Sequence, residues 1–136
     1  MREVFSAIVH PWLLDSMGHL TTRYYMAIFD DASLSLLARA TGWRNTGEDW
    51  SKVGWADVRH EIEYLQEVEG GSFVVVRAEV VRIGNKSIDT RYEMIKGGTV
   101  VAKMSAKSVY FDLVARQGIA IPPEMRERAT EFLAAV

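Results

Sequence analysis

The sequence predicts an α+β fold, in which an antiparallel sheet of about five strands wraps around one long central helix. Three observations predict it: one helical apolar pattern about twenty residues long, four strand-like segments after it, and glycine-marked turns between those segments. The chain has 136 residues, 49% of them apolar, which is enough to build one core. We therefore expect a single domain over residues 1–136.

The first strand is predicted from Val4 to His10, because Pro11 lacks the backbone donor that a sheet ladder needs. The long helix is predicted from Thr22 to about Thr41. Its core face has apolar residues at spacings of three and four: Tyr25, Ile28, Phe29, Ala32 and Leu36. Leu34 and Leu37 widen this face, so we expect the helix to be enclosed on more than one side.

The ends of this helix carry typical boundary residues. Thr21 or Thr22 can cap its first turn with a hydroxyl group. Arg39 suits the negative end of the helix dipole, and Gly42 suits a left-handed stop.

The later segments alternate with a period of two, which is typical of strands. One carries Val58, His60, Ile62 and Tyr64 on its apolar face, and His60 is interpreted there as a core histidine. Further strands are predicted over 73–83, 87–96 and 99–111, and the Gly-marked turns indicate a four-stranded meander. A last helix is predicted from Pro122–Pro123, with one apolar face formed by Met125, Ala129, Phe132 and Leu133.

Composition excludes several function classes. The chain has no cysteine, which rules out disulfides, thiolate metal sites and a cysteine nucleophile. The net charge of −2 and the pI of about 5.9 argue against nucleic-acid or anionic-membrane partners. No apolar run is long enough for a membrane span and no secretory signal is visible, so we expect a cytoplasmic protein. The three histidines lack metal-ligand spacing, so no metal is expected.

The densest polar cluster is the loop from Asp15 to His19, directly before the long helix. Unpaired N–H groups at a helix start can polarise a carbonyl oxygen as an oxyanion hole does. Asp15 beside them is a candidate nucleophile or base for acyl transfer. Alternatively, Asp15 caps a turn and Gly18 supplies a left-handed residue. His19 either contacts substrate, orients Asp15 or packs against the helix start.

Other candidates are less specific. We expect Asp30 or Asp31, in mid-helix, to face the sheet with a perturbed pKa, unless both face solvent or the loop 43–55. Ser87 is interpreted as a hydroxyl at the start of a strand. Three roles are open for the tryptophans: lining an acyl pocket, forming a cage for an organic cation, or packing the loop and the dimer edge. The tryptophans are Trp12, Trp43, Trp50 and Trp55. Phosphate-binding candidates are the scattered basic residues Arg77, Arg82, Lys86, Arg91, Lys103 and Lys107.

Four motifs together resemble one family. The stretch from Asp15 to Tyr25 is similar to the D-x-x-G-H-[LVM]-x-N-x-x-Y signature of hotdog-fold acyl-CoA thioesterases of the 4-hydroxybenzoyl-CoA thioesterase-like group. Residues 83–88, 101–103 and 121–124 resemble later motifs of the same family. The sequence departs from the signature at Thr22, at the shortened acidic pair Asp30-Asp31 and at Ser33.

The resemblance implies a hotdog fold and hydrolysis of an acyl-CoA thioester, with CoA as part of the substrate and no separate cofactor. It implies catalytic roles for Asp15, Gly18 and His19, with helix-terminal amides binding the thioester oxygen. Substrate contacts are expected from Trp12, Thr22, Tyr25, Asp30, His60 and Ser87. It further implies a homodimer joined edge to edge, or a dimer of dimers (a homotetramer), with the site at the dimer interface.

Two alternatives remain open at this point. A hotdog hydratase acting on enoyl-CoA is disfavoured, because the Asn-Pro between its Asp and His is absent here. A non-catalytic acyl-CoA-binding module is disfavoured because the carboxylate of Asp15 is retained.

Overall fold

The computed structural model describes residues 1–44, 46 and 51–135. Its two helices are α1 (Thr22–Thr41) and α2 (Pro123–Thr130). Its strands, in chain order, are β1 (Arg2–Ile8), β2 (Val53–Tyr64), β3 (Phe73–Ile83), β4 (Ser87–Lys96), β5 (Thr99–Asp112) and β6 (Gln117–Gly118). A single 3-10 turn over Pro11–Leu13 precedes the loop before α1.

The six strands form one antiparallel sheet in the order β1-β3-β4-β5-β2, with β6 pairing to the end of β5. Only β3, β4 and β5 form the predicted meander. The four-stranded meander is wrong, because β2 pairs with β5 from Val53↔Asp112 to Tyr64↔Ala102 rather than with β3. The segment after β2 therefore crosses to the far side of the sheet instead of making a hairpin turn. This places β2 at one edge and β1 at the other.

Helix α1 covers the inner face of the sheet, as the apolar pattern predicts. Phe29, Ala32 and Leu36 are completely buried against the sheet. The helix ends at Gly42, which takes the predicted left-handed conformation with φ of 80°. Thr21 occupies the N-cap position, as predicted, but its hydroxyl makes no side-chain cap hydrogen bond. The prediction of enclosure on several sides is wrong for Leu34, which is 47% exposed.

The inner face of β2 is not covered by α1 in the way that the rest of the sheet is. On β5 the inward side chains of Ala102, Met104 and Ala106 are buried, but their β2 partners Tyr64 and His60 are exposed. The interpretation of His60 as a core histidine is therefore wrong. It lies on the inward face as predicted, but at a strand edge beyond the reach of the helix.

The boundaries of the first strand and of the last helix differ slightly from the predicted ones. Strand β1 begins and ends two residues earlier than predicted, since pairing with β3 stops at Ile8↔Phe73. Helix α2 ends before Phe132 and Leu133, which leave the helix because Val80 N–H donates to Phe132 O at 2.9 Å. In the described part of the chain, no helix combines the length and apolar character that crossing a membrane requires. The cytoplasmic location stays a prediction.

Candidate active site

The loop before α1 is a tight hairpin closed by backbone hydrogen bonds. Asp15 N–H donates to His19 O at 2.8 Å, and the neighbouring residues Leu14 and Leu20 form an antiparallel bridge. Gly18 lies at φ of 81°, a conformation that favours glycine. Asp15 Oδ1 accepts from Met17 N–H at 2.8 Å and from His19 N–H at 3.1 Å. The turn-capping interpretation is therefore confirmed, and it leaves the second carboxylate oxygen outside the described hydrogen bonds.

These hydrogen bonds set the charge of the Asp15 carboxylate. The backbone N–H of His19 is the largest influence and lowers the pKa of Asp15 below its usual value, partial burial opposes it, and Met17 N–H lowers it further. Asp15 is therefore ionised at neutral pH. One oxygen is held by the loop while the other remains able to attack a carbon or accept a proton.

Asp15 borders a cleft of about 280 Å³ between the start of α1 and the end of β2. Its lining residues are Asp15, Met17, His19, Leu20, Thr22, Tyr25, Tyr64, Leu65, Gln66 and Glu67. Tyr25 OH donates to Gln66 O at 2.9 Å, which ties the helix to the loop after β2. Burial is the main cause that raises the pKa of Tyr25, followed by the charge of Glu67, so its phenol stays protonated at neutral pH.

The helix start supplies free backbone donors at this cleft. Tyr24 N–H and Tyr25 N–H donate to Thr21 O, whereas the N–H groups of Thr22 and Arg23 precede the first helical bond. Among the described residues, no hydrogen bond uses these two N–H groups. Gly18 N–H donates to Asp15 O at 3.1 Å, so it is engaged within the hairpin. A catalytic role for Gly18 stays a prediction, and so does the binding of the thioester oxygen by amides at the start of the helix.

His19 lies beside Asp15 and contacts a residue that the sequence analysis missed. Its Nε2 atom is 3.3 Å from Glu67 Oε2. Its Nδ1 atom is buried and finds no hydrogen-bond partner within the described part of the chain. Glu67 comes from the loop after β2, 52 positions after Asp15, and no motif in the sequence marks it. Only the pairing of that loop with the hairpin brings the two together.

The cleft, the hairpin and the sheet can now be compared with known proteins. A family model of the thioesterase-like superfamily matches residues 9–129 of this sequence, which is most of the chain. The chain belongs to the thioesterase-like superfamily. As a member it is a thioester hydrolase. A search among curated protein sequences finds no significant match.

Solved structures show that this thioesterase has the hotdog fold. A gentisyl-coenzyme A thioesterase has 20% sequence identity and a TM-score of 0.82, covering 92% of this chain and 98% of its own. A 1,4-dihydroxy-2-naphthoyl-CoA thioesterase from Synechocystis has 13% identity and a TM-score of 0.81, covering 93% and 94%. A Staphylococcus aureus protein in complex with CoA has 14% identity and a TM-score of 0.87, covering 99% and 88%. At these identities the likeness shows the fold alone.

Of the predicted substrate-contacting residues in this thioesterase, Thr22 and Tyr25 line the Asp15 cleft. Trp12 does not line it, since its ring stacks on His10 at 4.4 Å and the residue is 71% exposed. Ser87 pairs with Val109, which pairs with Ala56. At about 3.3 Å per strand residue this is roughly 26 Å along β2 from Tyr64. Within one protomer Ser87 is therefore not brought to Asp15, and its role stays a prediction.

Asp30 belongs to a second, smaller cavity of about 90 Å³ beside α1. This cavity is lined by Asp30, Asp31, Ser33, Leu34, Leu37, Trp43, Trp55 and Asp57. Two of the four tryptophans therefore lie near one another, next to three carboxyl groups, while Trp50 lies outside the described residues. The three roles predicted for the tryptophans, an acyl pocket, a cation cage or ordinary packing, all stay predictions.

The carboxyl groups of this second cavity interact with one another. Ser108 Oγ donates to Asp57 Oδ1 at 2.6 Å, and His60 Nε2 is 3.7 Å from Asp57 Oδ2. Burial raises the pKa of Asp30, the charges of Asp57 and Asp31 raise it further, and His60 opposes them. The pKa of Asp30 is thus shifted as predicted, but both Asp30 and Asp31 are exposed, as the alternative interpretation has it. Among the described residues, no group of three histidine, aspartate or glutamate side chains is placed to hold a metal ion.

Proposed function

We propose that this thioesterase hydrolyses an acyl-CoA thioester to a free acid and CoA, with Asp15 as the nucleophile or as the base for water. The observation that carries the proposal is the held carboxylate of Asp15, ionised and with one oxygen free at the edge of the cleft. A carboxylate in this state can attack a thioester carbonyl carbon or remove a proton from water.

In this proposal, the start of α1 stabilises the negative charge that develops on the thioester oxygen. The N–H groups of Thr22 and Arg23 are unused by the helix, and the positive end of the helix dipole adds to them. Preorganised donors of this kind stabilise an oxyanion without further reorganisation. His19 and Glu67 line the same cleft.

The CoA part of the substrate is supported by the Staphylococcus aureus structure that was solved with CoA. Two other structural neighbours carry names of aryl-CoA thioesterases. For this chain we propose a CoA thioester as the ligand.

We further propose that the working form is a homodimer joined along β2. This strand is the last of the sheet, so one of its sides has no neighbouring strand among the described residues of the protomer. Exposed apolar side chains accompany it, with Val58 58% and Tyr64 49% exposed. An unpaired, partly apolar edge is a ready surface for pairing with another strand.

The decisive experiment measures thiol release from a panel of acyl-CoA esters (short, long, aryl and cationic). Asp15→Asn preserves the loop-capping oxygen and removes the ionised one, so we expect turnover to fall by about 10²–10⁴-fold. Far-UV circular dichroism should be unchanged.

Asp112→Asn is the matched control, because Asp112 Oδ1 also caps a loop, accepting from Val114 N–H and Ala115 N–H at 2.9 Å. Its turnover should equal that of the wild type. Full activity of Asp15→Asn would remove Asp15 from the mechanism. Tight binding of CoA esters without turnover by the wild type would indicate a binding module, and hydration of a crotonyl ester would indicate a hydratase.

A further inference from the structure

We infer that Glu67 is a second catalytic carboxylate of the cleft, which takes the proton from the water that releases an acyl group from Asp15. The inference rests on the proposed function and chooses, within it, the nucleophilic role of Asp15. It depends on the placement of Glu67, on the state of the other side chains in the cleft and on the proton balance of the reaction.

The backbone around Glu67 is bound to the Asp15 hairpin on one side and to α1 on the other. Leu20 N–H donates to Val68 O at 2.8 Å, and His19 forms an antiparallel bridge with Glu69. On the other side, Tyr25 OH holds Gln66 O. The loop carrying Glu67 is therefore built against the catalytic hairpin and against α1 at once.

The side chain of Glu67 is oriented by His19 and is open to water. Its Oε2 atom is 3.3 Å from His19 Nε2, while the side chain is 71% exposed at the mouth of the cleft. The other carboxylate oxygen is thus available to a water molecule. The titratable groups that line the cleft with it are Asp15, His19, Tyr25 and Tyr64, and its charge raises the pKa of Tyr25.

The remaining lining residues do not offer a comparable base. Tyr25 is protonated and donates to Gln66 O, and Tyr64 offers a phenol rather than a carboxylate. Thr22 carries a neutral hydroxyl, and Met17, Leu20 and Leu65 have no proton-accepting side chain. His19 is already engaged with Glu67 through Nε2. Glu67 is the carboxylate that stays free after Asp15 has been acylated.

The proton balance requires such a group if Asp15 is the nucleophile. In the first step the free Asp15 oxygen bonds to the thioester carbon, the C–S bond breaks, and CoA leaves as a thiolate that solvent protonates. In the second step water attacks the acyl carbon, one of its protons passes to Glu67, and the bond to Asp15 breaks. Asp15 returns as a carboxylate, the product ionises, and Glu67 gives its proton to solvent. During this second step Asp15 carries the acyl group as a mixed anhydride, so it has no free carboxylate to act as the base.

The experiment combines rapid mixing with mass spectrometry on Glu67→Gln, using the best ester from the panel. We expect a burst of about one CoA per active site, followed by steady-state turnover about 10²-fold slower than wild type. Intact mass should show the enzyme plus one acyl group, located on the peptide that contains Asp15. Glu67→Asp should recover part of the steady-state rate and lower the trapped fraction.

Glu63→Gln is the control, since Glu63 lies on β2 opposite Lys103, on the outer side of the sheet. It should behave as wild type. An unchanged kcat for Glu67→Gln, or a slower kcat without burst and without acyl-enzyme, would overturn the inference. Either result leaves the proposed function standing as long as Asp15→Asn is inactive, whereas an active Asp15→Asn overturns both.

Discussion

Asp15 both caps its own loop and lines the cleft. One carboxylate oxygen accepts two backbone hydrogen bonds within the hairpin, and these same bonds keep the group ionised. The two interpretations that the sequence left open, a turn cap and a catalytic carboxylate, are therefore compatible. The geometry of the hairpin depends on Gly18, whose left-handed backbone lets the chain reverse between Asp15 and His19.

Gly18→Ala is predicted to lower the free energy of unfolding by about 1 kcal/mol. No atom lies within 4 Å of an added Cβ, so the loss comes from backbone strain alone. Urea denaturation measures it. Gly98→Ala is the matched control, with φ of 81° and equally open space, at the turn between β4 and β5. Both variants should lose similar stability, but only Gly18→Ala should also lose turnover; equal activities would contradict the prediction.

At the scale of elements, α1 links the core to both cavities. Its buried side faces the sheet, its first turn borders the Asp15 cleft, and Asp30 faces Asp57 farther along. The apolar spacing predicted this helix from end to end, because burial against a sheet imposes a 3.6-residue period. That Asp30 and Asp57 line the same cavity was not predictable, since it depends on the register between β2 and β5.

Phe29→Ala tests how strongly α1 is held. Because Phe29 is completely buried, the substitution should reduce the free energy of unfolding by about 3–5 kcal/mol. Leu34→Ala, one of the exposed positions of the same helix, should change it by less than about 0.5 kcal/mol. Urea unfolding of the two variants is the measurement. Similar losses would mean that Leu34 is covered in the working assembly.

Asp30→Asn tests the carboxyl pair of the second cavity. The pKa of Asp30 is raised, so its protonated form favours the folded state, and that contribution is present at acid pH and lost as pH rises through the raised pKa. The amide removes the charge that burial and Asp57 disfavour. The variant should therefore have a higher Tm than wild type at pH 7 and an equal Tm near pH 3. A lower Tm at pH 7 would show that the charge of Asp30 is compensated by a partner.

For the whole molecule, the decisive feature is the position of β2 at the sheet edge. The strand-like alternation of 58–64 predicted its existence and its inward face, but not its neighbour. Strand order depends on contacts between segments far apart in the chain. Here β2 pairs with β5 and not with β3, which follows it in the sequence. That crossing leaves His60 and Tyr64 exposed and opens the cleft beside Asp15.

Val58→Lys is predicted to convert the proposed dimer into a monomer of 15.3 kDa, because a charge on the exposed edge opposes strand pairing. Light scattering after size-exclusion chromatography gives the mass. Val114→Lys is the control, since Val114 is 76% exposed in the segment between β5 and β6. It should keep the mass of the wild type. A wild type that is already monomeric would refute the edge-to-edge dimer.

The sequence by itself determined the local features of this protein. The long helix, its glycine stop, the strands 73–83 and 87–96 and the Asp15 hairpin follow from short-range periodicity and backbone preference, and they appear where predicted. The tertiary structure alone decided which strand became the edge, and which side chains met across it. Glu67 contacts His19, and Asp57 lines the same cavity as Asp30, because long-range strand pairing sets one register among many, and no local pattern encodes that choice.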